Sequence, residues 1–128
     1  MVSKAFIALT GALAYRFLKV AQKLNFLGEI KMILVNLQLT IKPEVREEFL
    51  EWFYSVLPDT RAYEGCSELN ACSLEGDPDA VEVISKWETK AHYEKYLAWR
   101  EEDGTLGKLG AYLAADPVFR FLEADLQI

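Results

Sequence analysis

"MILVNLQLTIKPEVREEFLEWF", residues 32–53, changes its period halfway along. Up to Ile41 it alternates, with Ile33, Val35, Leu37, Leu39 and Ile41 on one face and Leu34, Asn36, Gln38 and Thr40 on the other. That period of two is the mark of a strand with one buried face. After Lys42 the spacing becomes helical. Pro43 suits a helix start because its missing amide hydrogen is not needed there, and Glu44, Glu47 and Glu48 complement the helix dipole. Val45, Phe49, Trp52, Phe53 and Val56 form an apolar stripe that is expected to stop before Pro58. A strand followed by a helix lying back on it is the first half of a split β-α-β unit.

The rest of the chain completes that unit. Gly65 leads into a second strand, about Cys66 to Leu74, in which Cys66, Cys72 and Leu74 share one parity. "EGDPD" at 75–79 is dense in turn residues and predicts a hairpin into a third strand, Val81 to Glu88. Thr89 can cap a second helix carrying Tyr93, Tyr96, Leu97 and Arg100 at helical spacing. Gly104 and Gly107 break or kink it, a further helical piece runs to about Ala114, and "VFRFLEADLQI" closes as a strand. The expected fold is α+β and ferredoxin-like, β-α-β-β-α-β, with two helices on one face of a four-stranded antiparallel sheet. Apolar side chains on the other face, including Val118, Leu122, Leu126 and Ile128, favour a homodimer through that face.

The 128 residues suit one domain, and 52% apolar with 27% charged residues describes a globular chain rather than a disordered one. Charge is uneven. Residues 1–31 hold Lys4, Arg16, Lys19, Lys23 and Lys31 against Glu29, a net +4 within a total of −6, so residues 32–128 carry −10. An acidic body of that size repels phosphate backbones and disfavours nucleic-acid binding. Cys66 and Cys72 would lie roughly 20 Å apart along one strand, beyond disulfide reach, so both are expected as free thiols in a reducing cytoplasm. One histidine and no close cysteine pair leave no structural zinc set. No G-x-G-x-x-G, phosphate-binding loop or internal repeat is present.

Residues 1–31 read as a basic amphipathic helix, with Phe6, Leu9, Leu13, Phe17, Val20, Leu24 and Leu27 at three- or four-residue steps. Several uses fit. The stripe can pack on the body or on a neighbouring subunit, the helix can lie on a membrane surface, and Lys4 with Ala12-Leu13-Ala14 has the form of a signal peptide. Arg16 and Lys19 disfavour a transmembrane span. The domain proper is expected from Met32 to Ile128.

"MILVNLQLTIKPEVREEFLEWF", then "EGC" at 64–66, then "VISKWETKAHYEKYLAWR" at 83–100, in this order and spacing, resemble the antibiotic biosynthesis monooxygenase family over about residues 32–126. The resemblance implies a dimeric α+β barrel with a pocket in each subunit between sheet and helices. It implies, for some members, oxygenation of electron-rich quinols or polyphenols with no cofactor, the substrate itself supplying the electrons to dioxygen. Other members degrade haem or isomerise small carbonyl compounds.

Candidate site residues follow. Trp87, on the parity of Val81 and Val83, is expected to face the helices; the resemblance implies that a tryptophan here lines the pocket, and its indole N–H requires a partner. His92 is either a helix-capping side chain or a general base, work that an imidazole suits, but the family's frequent histidine falls where this chain has Tyr96, and the haem ligand of haem degraders falls on Leu97. Tyr96 and His92 are therefore the candidates for assisting deprotonation, with Tyr93, Trp52, Phe53, Phe119 and Phe121 as an aromatic lining. Asn36 is a substrate-binding candidate because haem degraders carry an asparagine on the first strand; its parity sets it opposite the apolar row unless a bulge intervenes. Arg100 is expected to pair with a partner subunit rather than to grip substrate.

Two functions fit: a cofactor-free monooxygenase for a small quinol or polyphenol, and a non-catalytic dimer serving as an assembly or ligand-binding module. A connected cavity of a few hundred Å³ lined by Trp87 and Tyr96 would favour the first, and a filled interior the second.

Overall fold

The computed structural model describes residues 32–124. The leader helix expected over 1–31 and the last residues of the expected closing strand, Leu126 and Ile128 among them, lie outside those residues. Within them the chain runs β1 (Ile33–Thr40), a single 3-10 turn (Pro43–Val45), α1 (Arg46–Ala62), β2 (Cys66–Leu74), β3 (Asp77–Trp87), α2 (Lys90–Glu102), α3 (Thr105–Ala111) and β4 (Val118–Glu123). The four strands form one antiparallel sheet in the order β2-β3-β1-β4. This is the α+β, ferredoxin-like arrangement expected from the period change at Lys42.

The helices cover one face. Ile33, Val35 and Leu39 of β1 and Val81, Val83 and Trp87 of β3 are buried against them, as the period of two requires. Phe49 and Phe53, one turn apart on α1, stack at 4.9 Å and seal one half of the core with Tyr112. Trp87, Tyr93, Cys66, Ile33 and Val35 make up the other half. The opposite face of the sheet carries Leu34, Asn36 and Gln38, opposite Leu122, Arg120 and Val118 of β4 and Lys86, Ile84 and Glu82 of β3. Ile84, Val118 and Leu122 are exposed there.

Three details depart from the sequence reading. First, α1 does not stop before Pro58 but continues through it to Ala62. Proline deletes the hydrogen bond to the carbonyl four residues earlier, and both Pro58 and Tyr54 lie on the exposed side, where water can serve that carbonyl. Second, a bulge between Cys66 and Glu68 shifts the register of β2. Cys66 faces the helices opposite Trp87, whereas Cys72 lies opposite Glu82 on the open face, so the two cysteines do not share a face. Third, Pro43 opens a 3-10 turn rather than the α-helix itself, and β3 begins at Asp77 directly after a turn in which Gly76 has φ +85°.

Candidate functional site

Between the sheet and α1, α2 and α3 the described residues leave a cavity of about 60 Å³. That is room for a few water molecules; an engineered apolar cavity of about 150 Å³ is what holds benzene. Its walls are apolar: Leu37 and Val83 from the sheet floor, Phe53 and Val56 from α1, Leu97 from α2, Leu106 from α3. Tyr93, Tyr96, Trp52 and Phe119 also reach it. Its polar lining consists of hydroxyl side chains, Thr60, Ser85, Thr105 and the two tyrosines, and no Asp, Glu, Asn or Gln lines it.

Tyr96 joins the cavity to the buried guanidinium of Arg100. Its hydroxyl lies 2.7 Å from Thr60 Oγ1 and accepts from Arg100 Nε at 3.2 Å. Burial pushes the Tyr96 phenol above its ordinary range, against opposing bonds from Thr60 and Arg100, so at neutral pH it keeps its proton. Arg100 is only 3% exposed and is held entirely within this chain, by Val56 O, Thr60, Tyr96, Asp103 and Thr105. The expected pairing of Arg100 with a partner subunit is thus corrected, because its guanidinium is enclosed between α1 and α2. Asp103, at the end of α2, keeps its carboxyl below the usual range: burial opposes this, but bonds from Thr105 and Arg100 outweigh it.

Trp87 is fully buried and does not reach the cavity. It stands behind the wall, edge-on to Tyr93 at 5.1 Å and tilted against Tyr96 at 5.1 Å, and its indole hydrogen goes to Ser85 Oγ at 2.9 Å. Burial drives the Tyr93 phenol well above its ordinary range. Phe121 also stays outside the cavity, edge-on to Tyr93 at 6.1 Å and under Lys90 Nζ at 4.1 Å.

His92 and Asn36 point elsewhere. Thr89 caps α2 by accepting the His92 amide at 3.2 Å, and the His92 ring bonds Thr89 Oγ1 at 2.7 Å and packs on Gly65. Glu88 lies 3.8 Å from its Nε2. This imidazole organises a helix start and lies away from the cavity. Asn36 sits on the open face of the sheet in an unbroken β1 register, with no bulge to turn it inward.

The cavity therefore gathers Tyr93, Tyr96, Trp52, Phe53 and Phe119 from the expected set and leaves out Trp87, His92, Phe121 and Asn36. Three polar members, Ser85, Thr60 and Thr105, escaped the sequence reading. Ser85 carried a readable signal, since it precedes Trp87 by two on the same strand face. Thr60 follows Val56 by one helical turn, and the signal was lost by ending the helix before Pro58. Among the described residues no group of three or more His, Cys, Asp or Glu side chains is placed to hold a metal ion.

Comparison with known proteins agrees with this fold. Residues 32–102 match the family model described as antibiotic biosynthesis monooxygenase. The protein called "Putative monooxygenase YcnE" from Bacillus subtilis (strain 168) is 32% identical over 80 residues, covering 56% of this chain and 84% of that one. Among solved structures, one described as an antibiotic biosynthesis monooxygenase superposes with a TM-score of 0.68 at 20% identity, over 73% of this chain and 99% of that one. A conserved protein from Methanosarcina mazei Go1 gives 0.67 at 17% identity, over 73% and 92%. Rv0793 from Mycobacterium tuberculosis gives 0.66 at 14%, over 76% and 97%. At these identities the structural likeness concerns the fold alone.

Proposed function

We propose a function from one premise: this chain belongs to the antibiotic biosynthesis monooxygenase family. The reading is a cofactor-independent monooxygenase that oxidises a small quinol or polyphenol with dioxygen. The observation that carries it is the aromatic-walled cavity between sheet and helices, into which a neutral tyrosine hydroxyl, Tyr96, is held by Arg100 and Thr60. The chemistry balances with nothing added. A quinol and dioxygen give a hydroxyquinone and water: one oxygen atom enters the ring, the other leaves as water with two hydrogens from the substrate, and the ring supplies the electrons. In this reading Tyr96 donates a hydrogen bond to the ring oxygen, and Tyr93 and Phe119 flank the ring. Trp87 supports the wall from behind, and His92 takes no part.

A ring needs more space than about 60 Å³. The yielding wall in this reading is α3, seven residues long, entered through Gly104 at φ +85° and contributing Thr105, Leu106 and Leu109. The homodimer forms through the open sheet face, where Ile84, Val118 and Leu122 are exposed. The two free thiols fit a cytoplasmic protein, and no helix of the described residues is long and apolar enough to cross a membrane.

The small volume of the cavity favours a second reading, a non-catalytic assembly or ligand-binding module of the same fold. Oxygen uptake by the purified protein over a panel of quinols and polyphenols separates the two. Uptake above autoxidation that falls in Tyr96→Phe supports the oxygenase; uptake no greater than autoxidation across the panel rejects it.

A further inference from the structure

Counting hydrogens around Arg100 sets the direction of every bond it makes to a hydroxyl. A guanidinium has five N–H hydrogens and no acceptor. Five acceptors surround this one: Tyr96 Oη on Nε at 3.2 Å, Val56 O and Thr60 Oγ1 on Nη2 at 2.7 and 3.1 Å, Asp103 Oδ2 and Thr105 Oγ1 on Nη1 at 3.1 and 3.4 Å. Arg100 therefore has nothing left to offer a ligand. It does force Tyr96 Oη and Thr60 Oγ1 to act as acceptors towards it, and these two oxygens are 2.7 Å apart. One of their two hydroxyl hydrogens lies between them. The other is surplus.

Ser85 repeats the pattern independently. Its Oγ accepts the Trp87 indole hydrogen at 2.9 Å, and its own hydrogen has no acceptor among the described residues. Thr60 and Ser85 are 5% and 4% exposed, and both line the cavity with Tyr96. A buried donor hydrogen without an acceptor is costly, and beyond the Tyr93 and Thr105 hydroxyls and the Trp52 indole the rest of the lining is hydrocarbon.

We infer that the cavity is a subsite for an acceptor oxygen. The ligand is an apolar molecule bearing a carbonyl or phenolate oxygen, which receives the surplus hydrogens of the Thr60–Tyr96 pair and of Ser85. Arg100 is a positioning residue: it touches no ligand and fixes the hydroxyls as donors. The inference rests on the proposed oxygenase and narrows its substrate to the form whose ring oxygen accepts, the phenolate before reaction or the quinone carbonyl after it.

The test is a binding measurement on the full chain, read from amide NMR shifts of cavity residues, with acetophenone and its oxygen-free isostere α-methylstyrene. The ketone is expected to bind about tenfold tighter. Ser85→Ala should reduce that preference. Thr60→Val or Tyr96→Phe alone leaves one surplus hydrogen and keeps most of it, whereas the two together remove the pair's share. Arg100→Lys, which has three hydrogens in place of five, should lower the ratio of the two affinities even where both ligands still bind. Should the combined variant fail to fold, Ser85→Ala and the two single variants decide. Equal affinities on the parent protein overturn the acceptor subsite and leave a ring-binding oxygenase standing. A tenfold preference that survives Ser85→Ala and the paired substitution overturns the assignment to these hydroxyls. Shifts with neither ligand overturn the acceptor subsite, while the oxygenase stands or falls by the oxygen-uptake panel.

Discussion

The indole nitrogen of Trp87 donates to the hydroxyl of Ser85 at 2.9 Å, two residues back along the same face of β3. The strand's period of two places the pair side by side, so a fully buried tryptophan satisfies its only polar atom without any help from the helices above it.

Ser85→Ala should therefore cost about 1–3 kcal/mol, the penalty of a buried donor left unpaired. Trp87→Phe made in the Ser85→Ala background should cost less than in the parent, because the donor has gone. Urea unfolding of the four proteins of this cycle measures the coupling, and strict additivity would show that the bond contributes nothing.

Arg100→Met should be among the most damaging single changes, about 1–3 kcal/mol for each buried acceptor it leaves unpaired, since Val56 O, Thr60 and Tyr96 lose the donor they share, whereas Asp103 is exposed to water. Arg100→Lys should recover only part of this, because an ammonium cannot reproduce the planar fork. Denaturation midpoints check the order parent, lysine, methionine.

The cysteines should react very unequally. Cys72 is exposed, whereas Cys66 is buried and its thiol is pushed above the ordinary range by burial, with Arg61 and the Glu68 backbone opposing. Iodoacetamide should modify Cys72 quickly and Cys66 more slowly by a factor on the order of a hundred, until denaturant is added. Peptide mass mapping over time distinguishes the two, and equal rates would contradict the placement of Cys66 behind the bulge.

Alkaline pH should destabilise the fold through Tyr93 and Tyr96. Burial raises both phenols above their ordinary value near 10. Their stabilisation is complete below pH of about 10; above it the unfolded chain loses protons that the folded chain keeps, so stability falls as pH rises. Lys90, lowered by burial against opposing Glu94 and Glu123, pulls the other way. Comparing the parent with Tyr96→Phe isolates the tyrosine: the variant should lose less stability between pH 9 and 11, and an unchanged slope would refute the assignment.

Gly65→Ala should lower the melting temperature by about 5–15 °C. Gly65 has φ +93°, and an added Cβ would sit 2.4 Å from the His92 ring. Adding His92→Ala should recover the steric part and leave the backbone strain, which differential scanning calorimetry of the two variants separates.

Much of this molecule was legible in residue order. The switch at Lys42 from a period of two to a helical one, the turn at 75–79 and the cap at Thr89 are local signals, and each is written in backbone preferences that act over a few residues. They suffice for the ferredoxin-like fold and for the inward face of β3. The cavity was legible only in its aromatic lining, because large rings announce themselves by type and spacing.

What the sequence determined by itself was the order of elements and the faces they bury, since alternation and helical spacing follow from backbone geometry alone. The tertiary structure decided the rest. Whether α1 passes Pro58, which way Cys66 turns at the bulge, and whether Arg100 faces a partner or its own chain all depend on groups distant in sequence. Arg100 is the clearest case: its acceptors at Val56 and Thr60 are 44 and 40 residues away, and only packing α2 against α1 brings them within reach of its five hydrogens.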